Sequence, residues 1–259
     1  MPDPTGPIPA VLGVFAHPDD ESLLAGGVLA QHAAAGARTA VVTATWAPDN
    51  PRAAELADAL AVLGAGAPRM LGFSDARNEA SAPGRPRWCD VALDEAVAQV
   101  VLHIRQFRPD VVVTHDVLGQ LTGHPDHRRT HQVALLAVEA AALADLHPET
   151  GEPWQTSALY AATHPHSGIG ELGPLLAGVG KTLLSVPDEH ATAAVDVTTW
   201  LDQKWTAILA HCSQVERERP LPGILSRLPG DARNQILATE YYTRINLAPA
   251  PGCSTQLTA

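Results

Sequence analysis

Cysteine is scarce in this chain: there are three in 259 residues, Cys89, Cys212 and Cys253, odd in number, far apart and without metal-ligand spacing. That excludes a disulfide framework and a cysteine-type zinc site, and it makes a reducing compartment, the cytoplasm, the expected setting. Basic residues are also few. Seventeen lysines and arginines stand against 28 aspartates and glutamates, for a formal charge of -11. Phosphate backbones and anionic membranes attract basic faces, so neither a nucleic-acid nor a membrane partner is expected. No apolar stretch reaches membrane-spanning length, and the proline-rich start, 1–9, lacks a basic region followed by a long apolar one; an unexported protein is expected. Internal repeats and low-complexity tracts are absent. So is a Gly-x-Gly-x-x-Gly turn after the first apolar run, which a dinucleotide site would need.

What is present points to an α/β fold. With 46% apolar and 17% charged residues the chain can bury a large core, and it reads as one domain over 1–259, the part from about 158 completing the pocket. Strands are predicted at 8–15, 39–45, 69–73 and 110–114, alternating with helices at 22–35, 52–63, 91–107 and 127–146; Gly36 and Gly64 supply C-caps. Parallel strands need right-handed helical crossovers, so the expected fold is a Rossmann-like three-layer sandwich with a mainly parallel sheet and a site at the carboxyl ends of the strands. The C-terminal third is less regular, with strands expected at 158–162, 181–186 and 193–197 and a helix at 198–211. The proline- and arginine-rich loop 80–88 is expected to be a mobile edge.

Two loops carry the chemistry. His17-Pro18-Asp19-Asp20-Glu21 directly follows the first strand, and Gly123-His124-Pro125-Asp126-His127 lies just beyond the fourth. Carboxylates packed this densely at a strand end repel one another unless a cation neutralises them. Catalytic zinc commonly takes three imidazole or carboxylate ligands and keeps a fourth position for water; His17, Asp20 and His127 would supply that set. Asp19 can then face the water as general base, while His124, if protonated, stabilises an oxyanion or protonates a leaving amine. That is amide hydrolysis.

Other residues have plainer expectations. Glu21 either caps the helix that follows or holds a ligand imidazole from behind. His131, one turn after His127, is expected to pack or hydrogen-bond rather than ligate. His164 and His166 read as solvated loop residues, with a place at the pocket as the alternative, and His211 as a packed helical residue. Arg85 and Arg87 beside Trp88 read as a solvated loop, and Cys89 and Cys212 as small apolar fillers.

The two loops resemble the LmbE/PIG-L family of zinc-dependent N-acetylglucosaminyl deacetylases. Arg52-Ala53-Ala54-Glu55-Leu56, Leu71-Gly72-Phe73-Ser74-Asp75 and the segment from Lys204 to Gln214 are similar to further motifs of that family, in its order. The resemblance implies a Rossmann-like fold, a Zn2+ cofactor with Fe2+ as an alternative in the cell, and a small N-acylated amino sugar as substrate. It implies His17, Asp20 and His127 as ligands, Asp19 as base, His124 at the oxyanion, and Arg52 and Asp75 lining the substrate pocket through hydrogen bonds to sugar hydroxyls. The departures concern the pocket wall. Trp46 to Pro51 replaces a Thr-x-Gly-Glu-x-Gly loop, Thr122 stands where members acting on the mycothiol precursor have tyrosine, and 116–122 departs from Asp-Pro-x-Gly. A substrate from secondary metabolism fits these changes. A thiol S-conjugate amidase of the same family and a non-catalytic carbohydrate- or nucleotide-binding module are the alternatives, and a homo-oligomer is compatible with either.

Overall fold

In β1 (Val11–Phe15) every residue is buried, as a strand flanked on both sides must be. It leads to α1 (Asp20–Ala34), β2 (Thr39–Thr45), α2 (Pro51–Leu63), β3 (Arg69–Phe73), α3 (Leu93–Phe107), β4 (Val111–His115) and α4 (Pro125–Ala141). The rest of the chain forms β5 (Ala158–Thr163), α5 (Leu172–Gly178), β6 (Ala193–Asp196), α6 (Leu201–Ala210), α7 (Cys212–Val215), α8 (Leu221–Ser226), α9 (Gly230–Leu237) and β7 (Thr239–Asn246). These elements belong to a computed structural model that describes residues 8–170 and 172–247. Cys253 and the segment 1–7 of the proline-rich start lie outside the described residues. Among those residues no helix is long and apolar enough to cross a membrane.

The seven strands form one sheet in the order β3-β2-β1-β4-β5-β7-β6. β1 to β5 are parallel, as expected, and β7 runs antiparallel to both β5 and β6. The chain winds outward from β1 in two directions, so the loops after β1 and β4 leave the same edge side by side. This is the topological switch point at which open α/β sheets bind ligands. Register fixes the adjacency, since Val14 pairs with Thr114 and Phe15 with Thr43.

Alternation along β1 divides the core. Leu12 and Val14 pack with Val100, Ile104, Val133 and Ala137 of α3 and α4. Val11 and Phe15 pack with Leu29, Leu56 and Leu60 of α1 and α2 on the other face. Each fully buried leucine is worth about 2–5 kcal/mol against truncation to alanine. α2 shows its boundaries in sequence: the Asn50 side chain accepts from the Arg52 N–H, Pro51 fills the first turn, and Gly64 closes the helix at φ 71°.

Four expectations change. α4 begins at Pro125, not at 127, because His124 caps it and proline is at home in a first turn, and it stops at Ala141 rather than 146. Residues 181–186 form no strand; a single bridge joins Val186 to Pro165. β7 was not anticipated. The 80–88 loop is anchored rather than free: Ser74 Oγ donates to the Ala82 carbonyl at 2.7 Å, and fully buried Trp88 donates from Nε1 to Thr130 Oγ1 at 2.9 Å. Arg87 does pair with Asp90 at the surface, while Arg85 lies over the Phe73 ring.

β7 is also tied to α1. Glu240 accepts from the backbone N–H groups of Gly27 at 2.8 Å and Val28 at 3.0 Å, from Lys204 Nζ at 2.7 Å and from the Tyr242 hydroxyl at 2.9 Å. A buried carboxylate needs such partners, because desolvating a charge without them costs several kcal/mol. Gly27 has no room for a side chain there, since a Cβ would lie 2.4 Å from Val197.

Candidate active site

The two loops meet at the sheet edge as the register requires. His17 Nδ1 lies 3.0 Å from His127 Nε2 and 3.3 Å from Asp20 Oδ2, and His127 Nε2 lies 3.4 Å from Asp20 Oδ1. Donors around a tetrahedral zinc stand about 3.3 Å apart, given metal-ligand bonds near 2.0–2.1 Å. His17, His124 and His127, and likewise Asp20, His115 and His127, each bring one donor atom within 4.8 Å of the others, so the cluster as a whole fits a small divalent cation in spacing and in chemistry. The charge around them fits too. His17 Nε2 faces Asp75 and Asp126, each at 3.3 Å, so three carboxylates surround one imidazole. Burial acts to lower the pKa of His17, yet hydrogen bonds to Asp126 and Asp20 raise it to about 10, the response of a site that favours a positive charge. Asp20 is held well below the ordinary carboxylate range despite its burial, by the imidazoles of His127 and His115, while burial pushes the His127 pKa down against the pull of Asp20.

Asp19 occupies a backbone position that non-glycine residues seldom take, with φ 122°. It is held on both sides. Its N–H donates to Glu21 Oε2 at 3.0 Å, and its carboxylate pairs with Arg52 at 3.2 Å. Arg52 also donates to the Pro18 carbonyl and lies 4.4 Å from the Trp46 ring centroid. Burial raises the Asp19 pKa to about 6, with Arg52 acting against that rise. Glu21 is neither a side-chain cap nor a partner of a ligand imidazole. Its Oε1 accepts from Ser22 Oγ at 2.6 Å and meets His211 Nε2 at 2.7 Å, all of it buried.

His124 is the N-cap of α4. Its Nδ1 accepts from the Asp126 N–H at 3.3 Å, which assigns the ring proton to Nε2. Burial, with the nearby charges of His17 and Arg77, lowers its pKa to about 3, which favours the neutral ring with its proton on Nε2. Arg52 and Asp75 both line the cavity, which encloses about 590 Å³ and also takes in Thr122, His164 and Tyr241. Asp75 stands close to the histidines, 3.3 Å from His17 Nε2 and 3.9 Å from His124 Nε2. His164 is at the pocket, with burial lowering its pKa to about 4; His166 is exposed and bonds to Ser185. His131 bonds through Nδ1 to the His115 carbonyl at 2.8 Å, as a packing residue should.

Two residues of the site were missed. Asp126, fully buried, accepts from the Ala76 N–H at 2.8 Å and faces His17. His115, also fully buried, stacks on His127 with centroids 4.1 Å apart and reaches within 3.4 Å of Asp20. His115 had a signal in its position, as the last residue of a strand whose carboxyl end carries the site.

Residues 12–138 match the family described as PIG-L, GlcNAc-PI de-N-acetylase. The chain is 36% identical over 269 aligned positions, 91% of each protein, to the 1D-myo-inositol 2-acetamido-2-deoxy-alpha-D-glucopyranoside deacetylase of Rhodococcus jostii RHA1. The fold is similar to that of the N,N'-diacetylchitobiose deacetylase of Pyrococcus horikoshii, with a TM-score of 0.62 at 19% identity over 92% of this chain and 84% of that one. It is also similar to GalB of Pseudomonas putida KT2440, a 4-carboxy-2-hydroxymuconate hydratase, at TM-score 0.57 and 19% identity over 95% and 100%. A hydratase among the neighbours shows how little the fold alone says about chemistry. Identity sustained along nine-tenths of both chains says more, and on that ground the chain belongs to the PIG-L/LmbE family.

Proposed function

We propose that the protein is a metal-dependent N-deacetylase that hydrolyses the N-acetyl amide of an amino-sugar conjugate. The observation that carries this reading is the gathering of His17, Asp20 and His127, whose donor atoms approach one another pairwise to 3.0–3.4 Å through the two oxygens of Asp20, with Asp19 beside them in the same cavity. In this reading those three residues hold zinc. The ion they would hold would supply Lewis-acid chemistry, making a water acidic enough to be deprotonated near pH 7 and polarising the acyl carbonyl.

The protein's own groups do the rest. The Asp19 carboxylate takes the proton of the attacking water and later delivers it to the leaving amine, and its raised pKa suits a group that works in both directions. Nε2–H of His124 donates to the oxygen on which negative charge develops. Arg52 keeps the Asp19 carboxylate oriented, and Arg52 and Asp75 bound the space in which the sugar sits.

The test is metal content of protein purified without added metal, paired with amine release from a panel of N-acetylglucosaminides before and after chelation. About one zinc or iron per chain, with release that stops on chelation and returns with metal, is the expected result. Full metal occupancy with no release from any glycoside would reject the deacetylase reading and leave a metal site in search of another reaction.

A further inference from the structure

The cavity extends beyond the metal-ligand cluster, and its charge changes along the way. The carboxylates that line it are each engaged: Asp19 by Arg52, Asp20 and Asp75 by the histidines, and Glu240 by Lys204. The outer wall also carries four cations, Arg77, Lys181, Arg217 and Arg219. Among the described residues none of the four forms an ion pair with a carboxylate. Lys181 Nζ donates to the Arg219 carbonyl at 2.7 Å, and Arg217 meets only the amide oxygen of Gln214, at 3.5 Å.

They come from three separate segments: the turn after β3, the stretch after α5, and the connection between α7 and α8. The last is the most telling. In Glu216-Arg217-Glu218-Arg219 the two arginines line the cavity and the two glutamates do not. Four like charges gathered around one opening repel one another, in a chain whose net charge is -11 and which has acids to spare for pairing. Burial lowers the pKa of Lys181, with the charges of Arg219, Arg77 and Arg217 adding to the shift and that of Asp19 acting against it. Such an arrangement is stabilised when an anion enters, and it also concentrates anions at the mouth from a distance.

We infer that Lys181, Arg217 and Arg219, with Arg77 across from them, form a subsite for an anionic group, phosphate or carboxylate, on the part of the substrate remote from the amide. This rests on the deacetylase reading for which bond is cut, but not for where the anion binds. The sugar derivative named for the Rhodococcus relative is an uncharged glycoside.

The experiment compares kcat/KM for N-acetylglucosamine 1-phosphate, an N-acetylglucosaminide whose aglycone ends in a carboxylate, and the methyl glycoside. In parallel, calorimetry measures binding of glucosamine 1-phosphate and of glucosamine. For the native protein an advantage of about tenfold or more in kcat/KM for one anionic substrate, carried mostly by KM, is expected; which anion gains more identifies the group. In K181Q/R217Q/R219Q the ratio of anionic to neutral kcat/KM should fall to about one. Using the ratio cancels any general loss from misfolding. A native ratio near one, or a ratio the variant leaves intact, overturns the subsite. If no glycoside is hydrolysed, calorimetry decides: binding of glucosamine 1-phosphate that the variant weakens tenfold or more keeps the subsite while the deacetylase reading falls, and equal binding by both proteins removes the subsite as well.

Discussion

The same tripeptide, His-Pro-Asp, follows β1 and β4, and the two copies are put to different uses. After β1, His17 turns into the donor cluster and Asp19 takes a strained backbone angle with no side-chain cap, its carboxylate facing the cavity opposite Arg52. After β4, His124 spends its Nδ1 on capping α4, and Asp126 is buried, accepting from Ala76 and facing His17. The environments drive the two aspartates apart. Burial takes Asp19 up to about 6, whereas Asp126, also partly desolvated, is brought below the usual range by its hydrogen bond to His17. In the proposed reaction the first of these two identical groups serves as proton carrier and the second as fixed anion. The residue after each tripeptide, Asp20 or His127, also points a donor atom at the cluster, beside that of His17.

The sharpest way to break this contrast is to remove the donor of the second loop. His127→Ala should abolish both metal retention and turnover, measured by metal analysis and amine release. A variant that binds zinc like the native protein would exclude His127 from the ligand set. Next come the paired aspartates. Asp19→Asn should lower kcat by about 10²–10⁴ with metal retained, and Asp126→Asn should instead weaken metal affinity about 10- to 100-fold, measured by competition with a chelator. Equal effects of the two substitutions on both readouts would erase the distinction drawn between the loops. His124→Ala should cost about 10²–10³ in kcat, the scale of one oxyanion donor, and should also cost about 1 kcal/mol of stability through the lost cap.

The smallest effect lies away from both loops. Burial, aided by Arg69, lowers the pKa of His103 to about 4 from an ordinary 6.5. Above pH 6.5 the ring is neutral in both folded and unfolded chains and adds nothing to the pH dependence. Between 6.5 and 4 the unfolded chain takes up a proton that the folded one refuses, so stability is lost as the pH falls. His103→Gln should flatten the denaturation midpoint across that window and leave metal content unchanged.

Much of this was legible in the sequence where one physical rule dominated. β2 falls at the residues predicted because it is a wholly buried run of β-branched and small residues, β3 because Met70 to Phe73 is a short apolar stretch behind Arg69, and α2 because its cap, proline and glycine agree. Both motif loops were evident for the same reason, since each interrupts such a run. β7 was not, because Thr239–Asn246 mixes charged and polar residues with its tyrosines, as a strand with one half-exposed face does. The short apolar stretch at 181–186 misled in the opposite way: Leu183 packs against the cluster around Leu172 and Leu176 without any strand to pair with. The sequence assigns Asp126 no role of its own within its motif, and only the neighbouring loop after β3, with the Ala76 N–H, gives it one. Such partners come from tertiary contact, which no local pattern encodes.

The hold that Glu240 takes on Gly27 and Val28 has a consequence for synthesis. The helix that begins at Asp20 leaves the ribosome early, yet its two backbone donors wait for a carboxylate that follows more than 200 residues later. β5, too, must leave its outer edge open until β7 arrives to separate it from β6. Strands that pair across so long a stretch of chain close slowly. A nascent chain halted before Glu240 would carry every proposed metal ligand and the general base but would lack the brace behind them, so catalytic competence arrives only with the last strand.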